Sequence, residues 1–219
     1  HYSVDETSNV PITPPGVYLI DSGGQYLNGT TDVTRTVAVG DPPTEAIRDF
    51  TLVLKGHIAL ATLVFPKNTS GRDVDAIARR PMWDQGRNYG HGTGHGVGFF
   101  LNVHEGPQKI APSAKDWPLE TGMVVSNEPG VYRPDKWGIR IENLLVVRTA
   151  APADRSFGAF VEFETLTLAP IDRRLIDASI LTKDEGEWVD RYHRRVWEEL
   201  SPELSPADRE WLRGATAPL

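Results

Sequence analysis

The sequence predicts an α+β fold: an antiparallel hairpin, two helices, further strands and a helical C-terminus. Three observations carry this. Strand-like runs at 17–20 and 32–39 flank Asn28-Gly29, a strong hairpin signal. Ile47, Phe50, Leu54, Ile58 and Ala61 recur at helical spacing. Runs at 123–126, 139–147 and 160–168 then read as strands between loops.

The bulk properties agree. The chain has 219 residues, 39% hydrophobic and 24% charged, which suits one large soluble domain or a domain with an extension. No apolar run approaches the length that spans a bilayer. The net charge of −7 argues against nucleic acid or an anionic membrane as the main partner. With no cysteine, disulfides and thiolate metal sites are excluded, and a reducing compartment fits. The opening His1-Tyr2-Ser3 has neither Met nor a signal-peptide pattern, so a fragment or processed product is expected.

Each element follows from local chemistry. Residues 1–16 are polar and Pro-rich, an irregular lead-in. The strand at 17–20 stops at Asp21-Ser-Gly-Gly24, which puts Asp21 at its end and Asp32 at the start of the next strand. Paired across the hairpin, the two carboxylates come close. Thr44 is a good N-cap with Glu45 in the first turn, and the helix runs to about Val64, closed by Pro66. His57 on this helix reads as a structural histidine. A second helix starts near Asp73, and Pro81 ends or kinks it, because a mid-helix Pro costs about 3 kcal/mol. Residues 108–122 and 131–138 read as loops. Trp188, Val189, Tyr192, Val196 and Trp197 mark an amphipathic helix to about Leu200, and a short helix from Pro206 to Leu212 follows. That aromatic stripe packs on the sheet by default, with a dimer contact as the alternative.

Asn88-Tyr-Gly-His-Gly-Thr-Gly-His-Gly-Val-Gly98 stands apart. A helix is ruled out, since each Gly costs about 1 kcal/mol relative to Ala. His91 and His95 therefore do not form a helical metal-binding pair. Either this is a flexible loop with incidental histidines, or its bare backbone lets a substrate approach closely. The acids Asp21, Asp32, Glu128 and Glu142 bear on the choice, because each ends or interrupts a strand-like run. A carboxylate in an apolar strand is costly unless paired or bound to metal. For Glu142, a salt bridge to Arg140 on a solvated sheet face is the bland reading. Taken together, four carboxylates and one imidazole suit Mn, Co, Fe or Zn, and four negative charges balance two divalent ions. Dinuclear hydrolytic sites use bridging carboxylates in this way.

With these motifs, the chain resembles the pita-bread metallopeptidases. The matching segments are Leu19-Ile-Asp-Ser-Gly, Gly29-Thr-Thr-Asp-Val-Thr-Arg-Thr36, His91-Gly-Thr-Gly-His-Gly-Val-Gly98, Asn127-Glu-Pro-Gly130 and Gly138-Ile-Arg-Ile-Glu-Asn143. Within that superfamily the chain is most similar to the aminopeptidase P (Xaa-Pro aminopeptidase) family. Leu101-Asn-Val-His-Glu-Gly-Pro107 and the C-terminal extension resemble its longer, eukaryotic-type cytosolic branch.

The resemblance implies a curved, antiparallel-rich sheet covered by helices. Residues 1–170 would form most of the catalytic domain, and 171–219 a C-terminal helical extension. The domain's opening helices would be missing, supplied by a preceding portion of the same protein. Asp21 would chelate one ion, Asp32 and Glu142 would bridge two, and His95 and Glu128 would bind the second. Manganese is the implied metal. His1, His91 and His104 would face the substrate and move protons, with a loop-ordering hydrogen bond as the bland reading of His104. Arg140 would orient a bridging carboxylate. The implied reaction is hydrolysis of an N-terminal Xaa-Pro bond by a metal-bridging hydroxide, in the cytoplasm, with a possible homodimer. The alternatives are a prolidase-type dipeptidase and a non-catalytic pita-bread interaction module or incomplete fragment.

Overall fold

A computed structural model describes residues 5–219. Its first unit is a long antiparallel hairpin of β1 (Gly16–Tyr26) and β2 (Gly29–Val39), paired from Gly16↔Val39 to Tyr26↔Gly29. The two turn residues are Leu27 and Asn28, one position earlier than the Asn28-Gly29 signal. Both strands are longer than their apolar runs, because a tight turn draws the polar residues beside it into the ladder. Asp21 therefore lies mid-strand opposite Thr34, and Asp32 lies inside β2 opposite Gly23, not at strand ends.

The buried face of β2 is its more polar one. Asp32, Thr34, Thr36 and Ala38 turn inward, while the alternating valines are half-buried. Buried hydroxyls need partners, and these have them. Thr34 donates to Glu142 Oε2 at 2.7 Å, and Thr36 donates to the Arg140 carbonyl at 3.0 Å.

Helix α1 (Thr44–Ala61) begins one residue earlier than expected at its cap: Pro43 takes the N-cap position and Thr44 is the first helical residue. It also stops at Ala61, because Thr62 folds its hydroxyl back onto the Ile58 carbonyl and the chain turns into β3 (Val64–Pro66). Helix α2 (Gly71–Trp83) starts at Ser70, whose backbone N–H and hydroxyl both bond Asp73. Pro81 neither ends nor precedes its last turn but sits within it. The lost bond is the single one to the carbonyl of Ile77, a partly exposed residue, and fully buried Met82 anchors the turn beyond.

The main sheet has the order β3–β10–β9–β6, all antiparallel, with β6 (Val124–Asn127), β9 (Asn143–Ala150) and β10 (Phe160–Thr165). Val125, Leu145, Val147 and Phe163 pack with Leu60, Phe65 and Val74 in one core. Two short pairings complete the strands. One joins β4 (Gly94–His95) to β5 (Lys109–Ile110), inside stretches that read as loops. The other is a hairpin of β7 (Gly130–Arg133) and β8 (Trp137–Arg140), where the sequence suggested only a loop. The expected strand at 139–147 is thus two strands. The chain changes partner at Ile141 and Glu142, whose N–H groups bond the carbonyls of Pro129 and Thr34. Glu142 lies in that break.

Helices α3 (Lys183–Leu200) and α4 (Pro206–Ala215) close the chain, with Thr182 and Glu185 forming a capping box on α3. Tyr192 and Val196 enter a second core with Phe50, Leu54, Ile141 and Ile171, and Trp188 and Trp197 pack against it. The aromatic stripe is therefore used within the chain, as its default reading holds. His57 is buried, and burial together with the Arg35 charge lowers its pKa to about 3, so it is a neutral structural histidine.

A buried ion cluster fixes the β7–β8 hairpin against α1. Asp49, fully buried, accepts hydrogen bonds from Arg87, Arg133 and the Trp137 indole. Burial pushes its carboxyl upward, but these donors outweigh it and hold the pKa below the usual range. Asp49→Ala is expected to destabilise the protein by about 3 kcal/mol at pH 7 in urea denaturation, as unpaired buried partners do; a loss below about 1 kcal/mol would contradict the role.

Candidate metal centre

The hairpin, the glycine run, β6 and the β8–β9 break converge on one cleft of about 310 Å³. Asp21, Asp32, His95, His104, Glu128 and Glu142 line it. Ligand-capable atoms of Asp21, Asp32 and Glu142 lie within 4.8 Å of one another, and so do those of His95, Glu128 and Glu142. Glu142 belongs to both groups, and a third such group joins Asp32, His95 and His104, so Asp32 is shared as well. The four acids and the imidazole singled out in the sequence are thus brought together from five separate segments.

His95 is oriented by its own backbone. Its Nδ1 lies 3.0 Å from the Gly96 carbonyl, which only accepts, so Nδ1 carries the proton. Nε2 then points at Glu128 Oε1 (3.2 Å) and Asp32 Oδ2 (3.5 Å). A nitrogen lone pair aimed at two carboxylates fits a shared cation between them. Without an ion, burial opposes a proton on His95, but Asp32, the Gly96 carbonyl and Glu128 outweigh it and raise the pKa.

The acids show the corresponding strain. Burial, then the charges of Glu128 and Asp32, raise Glu142 to about 8. Burial likewise raises Glu128 despite His95, Ser126 and Arg140. Glu142 is buried and forms no ion pair among the described residues, so the salt bridge to Arg140 on a solvated face does not occur. Arg140 NH2 instead meets Asp21 Oδ2 at 2.5 Å, and Arg140 Nε donates to Thr34, which donates to Glu142. Arg140 therefore reaches the shared carboxylate only through a hydroxyl.

His91 stands apart from the carboxylates. Its Nδ1 donates to the Gly92 carbonyl at 2.7 Å, and its Nε2 lies 2.8 Å from the Tyr132 hydroxyl, which also accepts from Arg140. Burial, helped by the Arg140 and Arg79 charges, lowers its pKa. His104 is exposed at the cleft mouth, its ring edge-on to His95 with centroids 4.3 Å apart. No side-chain hydrogen bond of His104 orders its loop among the described residues; Glu105 does that, accepting from Asn102 and donating its N–H to the Gly96 carbonyl. His1 lies outside the described residues.

The glycines have a different neighbour from the one expected. A Cβ on Gly94 would sit 1.9 Å from the Ser126 carbonyl oxygen, and one on Gly96 2.1 Å from that of Glu105. They admit the chain's own backbone, seating His95 beside Glu128, instead of making room for substrate. Nor is the run loose. Buried Arg79, paired with Asp75 at 2.6 Å, donates to the carbonyls of Tyr89 and His91, and Thr93 donates to Asp75. Nothing in the sequence marks Tyr132 as part of the site, and Thr34, though inside the matching segment Gly29–Thr36, is not singled out there. The spacing of Asp75 and Arg79 on one helix face is a signal, but its target is visible only in three dimensions.

The description "Metallopeptidase family M24" matches residues 1–149, and "C-terminal region of peptidase_M24" matches 159–219. The chain belongs to metallopeptidase family M24. Among M24 relatives, a probable Xaa-Pro aminopeptidase P from Laccaria bicolor is 49% identical across all of this chain, and Xaa-Pro aminopeptidase 1 from Dictyostelium discoideum is 45% identical. The chain spans 35% and 36% of their lengths. A solved X-prolyl aminopeptidase from Caenorhabditis elegans, described as a cytosolic enzyme with a di-nuclear active site, superposes on the whole chain at TM-score 0.94 and 41% identity, using 36% of that structure. A Pyrococcus furiosus prolidase superposes on 59% of the chain at TM-score 0.55 and 32% identity. The α+β pita-bread M24 fold is therefore the fold of this chain.

Raised carboxyls set a pH dependence. A carboxyl whose pKa rises from 4.5 to about 8 on folding favours the fold fully below pH 4.5 and loses that contribution as pH rises through 8. Metal-free protein is expected to lose stability over this window. Saturating Mn²⁺ should raise Tm more at pH 8 than at pH 5.5 in thermal-shift assays. Equal increments would contradict the coupling.

Proposed function

We infer that the chain is the catalytic portion of a longer enzyme that hydrolyses the N-terminal Xaa-Pro bond of peptides and releases the first residue. The observation that carries this reading is the sharing of Glu142 between two three-residue donor groups in one cleft, in a chain whose relatives bear Xaa-Pro aminopeptidase names. Asp21 and the shared Asp32 and Glu142 would hold one ion; His95, Glu128 and the same shared acids would hold a second. Such an oxygen-rich set with one nitrogen accepts Mn²⁺, our choice, and also Co²⁺, Fe²⁺ or Zn²⁺. When bound, the ions supply Lewis acidity toward the scissile carbonyl and the attacking water.

The chain's own groups do the rest. An Xaa-Pro amide has no N–H on the scissile nitrogen and a restricted backbone, so the substrate is held by side chains at the cleft. His91, kept neutral with its tautomer fixed by Gly92, presents Nε2 beside Tyr132. As the C–N bond breaks, the proline nitrogen takes a proton, and His104 at the cleft mouth or Glu142 delivers it. Arg140 holds Asp21 in place and supplies positive charge beside the acids. We place the protein in the cytoplasm, as for the nematode relative.

A prolidase-type dipeptidase shares such a site, but the relatives that match the whole chain at 49% and 45% identity carry Xaa-Pro aminopeptidase names, and the prolidase matches at 32%. The retained donor set speaks against a non-catalytic interaction module. Glu142→Gln and His95→Ala are each expected to lower kcat on an Xaa-Pro-Xaa tripeptide by about 100-fold or more. Near-normal cleavage by either variant, with metal content verified, would remove the mechanism, and cleavage confined to Xaa-Pro dipeptides would favour prolidase.

A further inference from the structure

Glu142 occupies the break between β8 and β9, where no strand ladder holds it. Its backbone is held by β2 instead. The Glu142 N–H donates to the Thr34 carbonyl at 3.1 Å, and its carbonyl accepts from Arg35 NH1 at 2.6 Å. Arg35 is a buried guanidinium with no ion pair among the described residues. All its acceptors are neutral. Beyond Thr34 and Glu142, they are Asn143 Oδ1 (2.7 Å) and three groups of the C-terminal region: the carbonyls of Ala169 (2.8 Å) and Pro170 (3.0 Å), and the Tyr192 hydroxyl (3.0 Å).

Tyr192 fixes that arrangement. Its hydroxyl donates to the Ala169 carbonyl at 2.9 Å while accepting from Arg35, and its ring stacks on Trp188 with centroids 5.3 Å apart. Asn143 is held from its other end by the buried His57 Nε2. The region matched as the M24 C-terminal region thus reaches the metal centre through one arginine.

We propose that Tyr192 of α3 is a positioning residue for Glu142: by holding Arg35 it fixes the carboxylate shared by both donor groups, and so sets how tightly the site retains divalent cations. This rests on the metal-dependent reading of the cleft. The C-terminal region is then part of the metal centre's framework and not a peripheral cover.

The test uses the full chain, stripped of metal and titrated with MnCl2 by calorimetry, for wild type, Tyr192→Phe and Trp197→Phe. Trp197 packs on the same core but is not among the hydrogen-bond partners of Arg35. Tyr192→Phe should weaken Mn²⁺ binding about 10-fold and lower kcat on an Xaa-Pro-Xaa tripeptide with KM within about twofold. Trp197→Phe should leave Mn²⁺ affinity unchanged. Wild-type affinity in Tyr192→Phe overturns the proposal while leaving the metal reading intact, and so does equal weakening in Trp197→Phe, which marks general loosening. Absence of Mn²⁺ uptake by wild type overturns the metal reading and the proposal with it. Should Tyr192→Phe fail to fold, Arg35→Lys, which keeps the charge but loses the forked donors, is read by the same outcomes.

Discussion

Carboxylates gathered in one cleft with too few cations to balance them are the constraint on which this structure turns. Two ionised carboxylates 4.8 Å apart repel by about 3.5 kcal/mol at an effective dielectric of about 20. Asp21, Asp32, Glu128 and Glu142 are drawn together at this scale, faced among the described residues by Arg140 and the His95 and His104 imidazoles. The rise of Glu142 to about 8 expresses that cost. A fold keeps such an arrangement because something outside the polypeptide compensates it, and divalent cations suit the donor chemistry.

The surrounding architecture holds each acid in place against this repulsion. A polar face of β2 turns inward so that Thr34 can link Arg140 to Glu142. Glycines at 94 and 96 let β4 press against neighbouring backbone, seating His95 beside Glu128. The Asp75–Arg79 pair grips the run that precedes it. Ser126 donates to Glu128 and accepts from the His95 backbone, tying two prospective ligands through one hydroxyl. Short hydrogen bonds and close backbone packing together preorganise the site before its ions arrive.

Much of this was legible in the sequence. The hairpin, α1, α2, α3 and the main strands follow from turn chemistry and periodicity, and acids interrupting apolar runs pointed to the centre because burying a carboxylate needs a reason. What escaped depends on long-range pairing. The extension of β1 through Asp21-Ser-Gly-Gly24 opposes local propensity and is stabilised by its partner strand. The break at Glu142 reflects a change of partner that a continuous apolar run conceals. Pro81 is tolerated because it sits in the last turn of α2, where it costs a single ladder bond. Thr34, Tyr132, Arg35 and Tyr192 are ordinary residues locally, and their roles exist only through neighbours about a hundred or more residues away in several cases, such as Thr34 with Glu142.

A cleft that holds two cations through a shared Glu142 would show both ions directly. Anomalous diffraction from crystals soaked in Mn²⁺ tests it most directly. Two peaks about 3.5–4 Å apart are expected, one beside Asp21 and the other beside His95 and Glu128, with Glu142 and Asp32 between them. A single peak, or density centred on His91 or His104 with Glu142 unengaged, would contradict it.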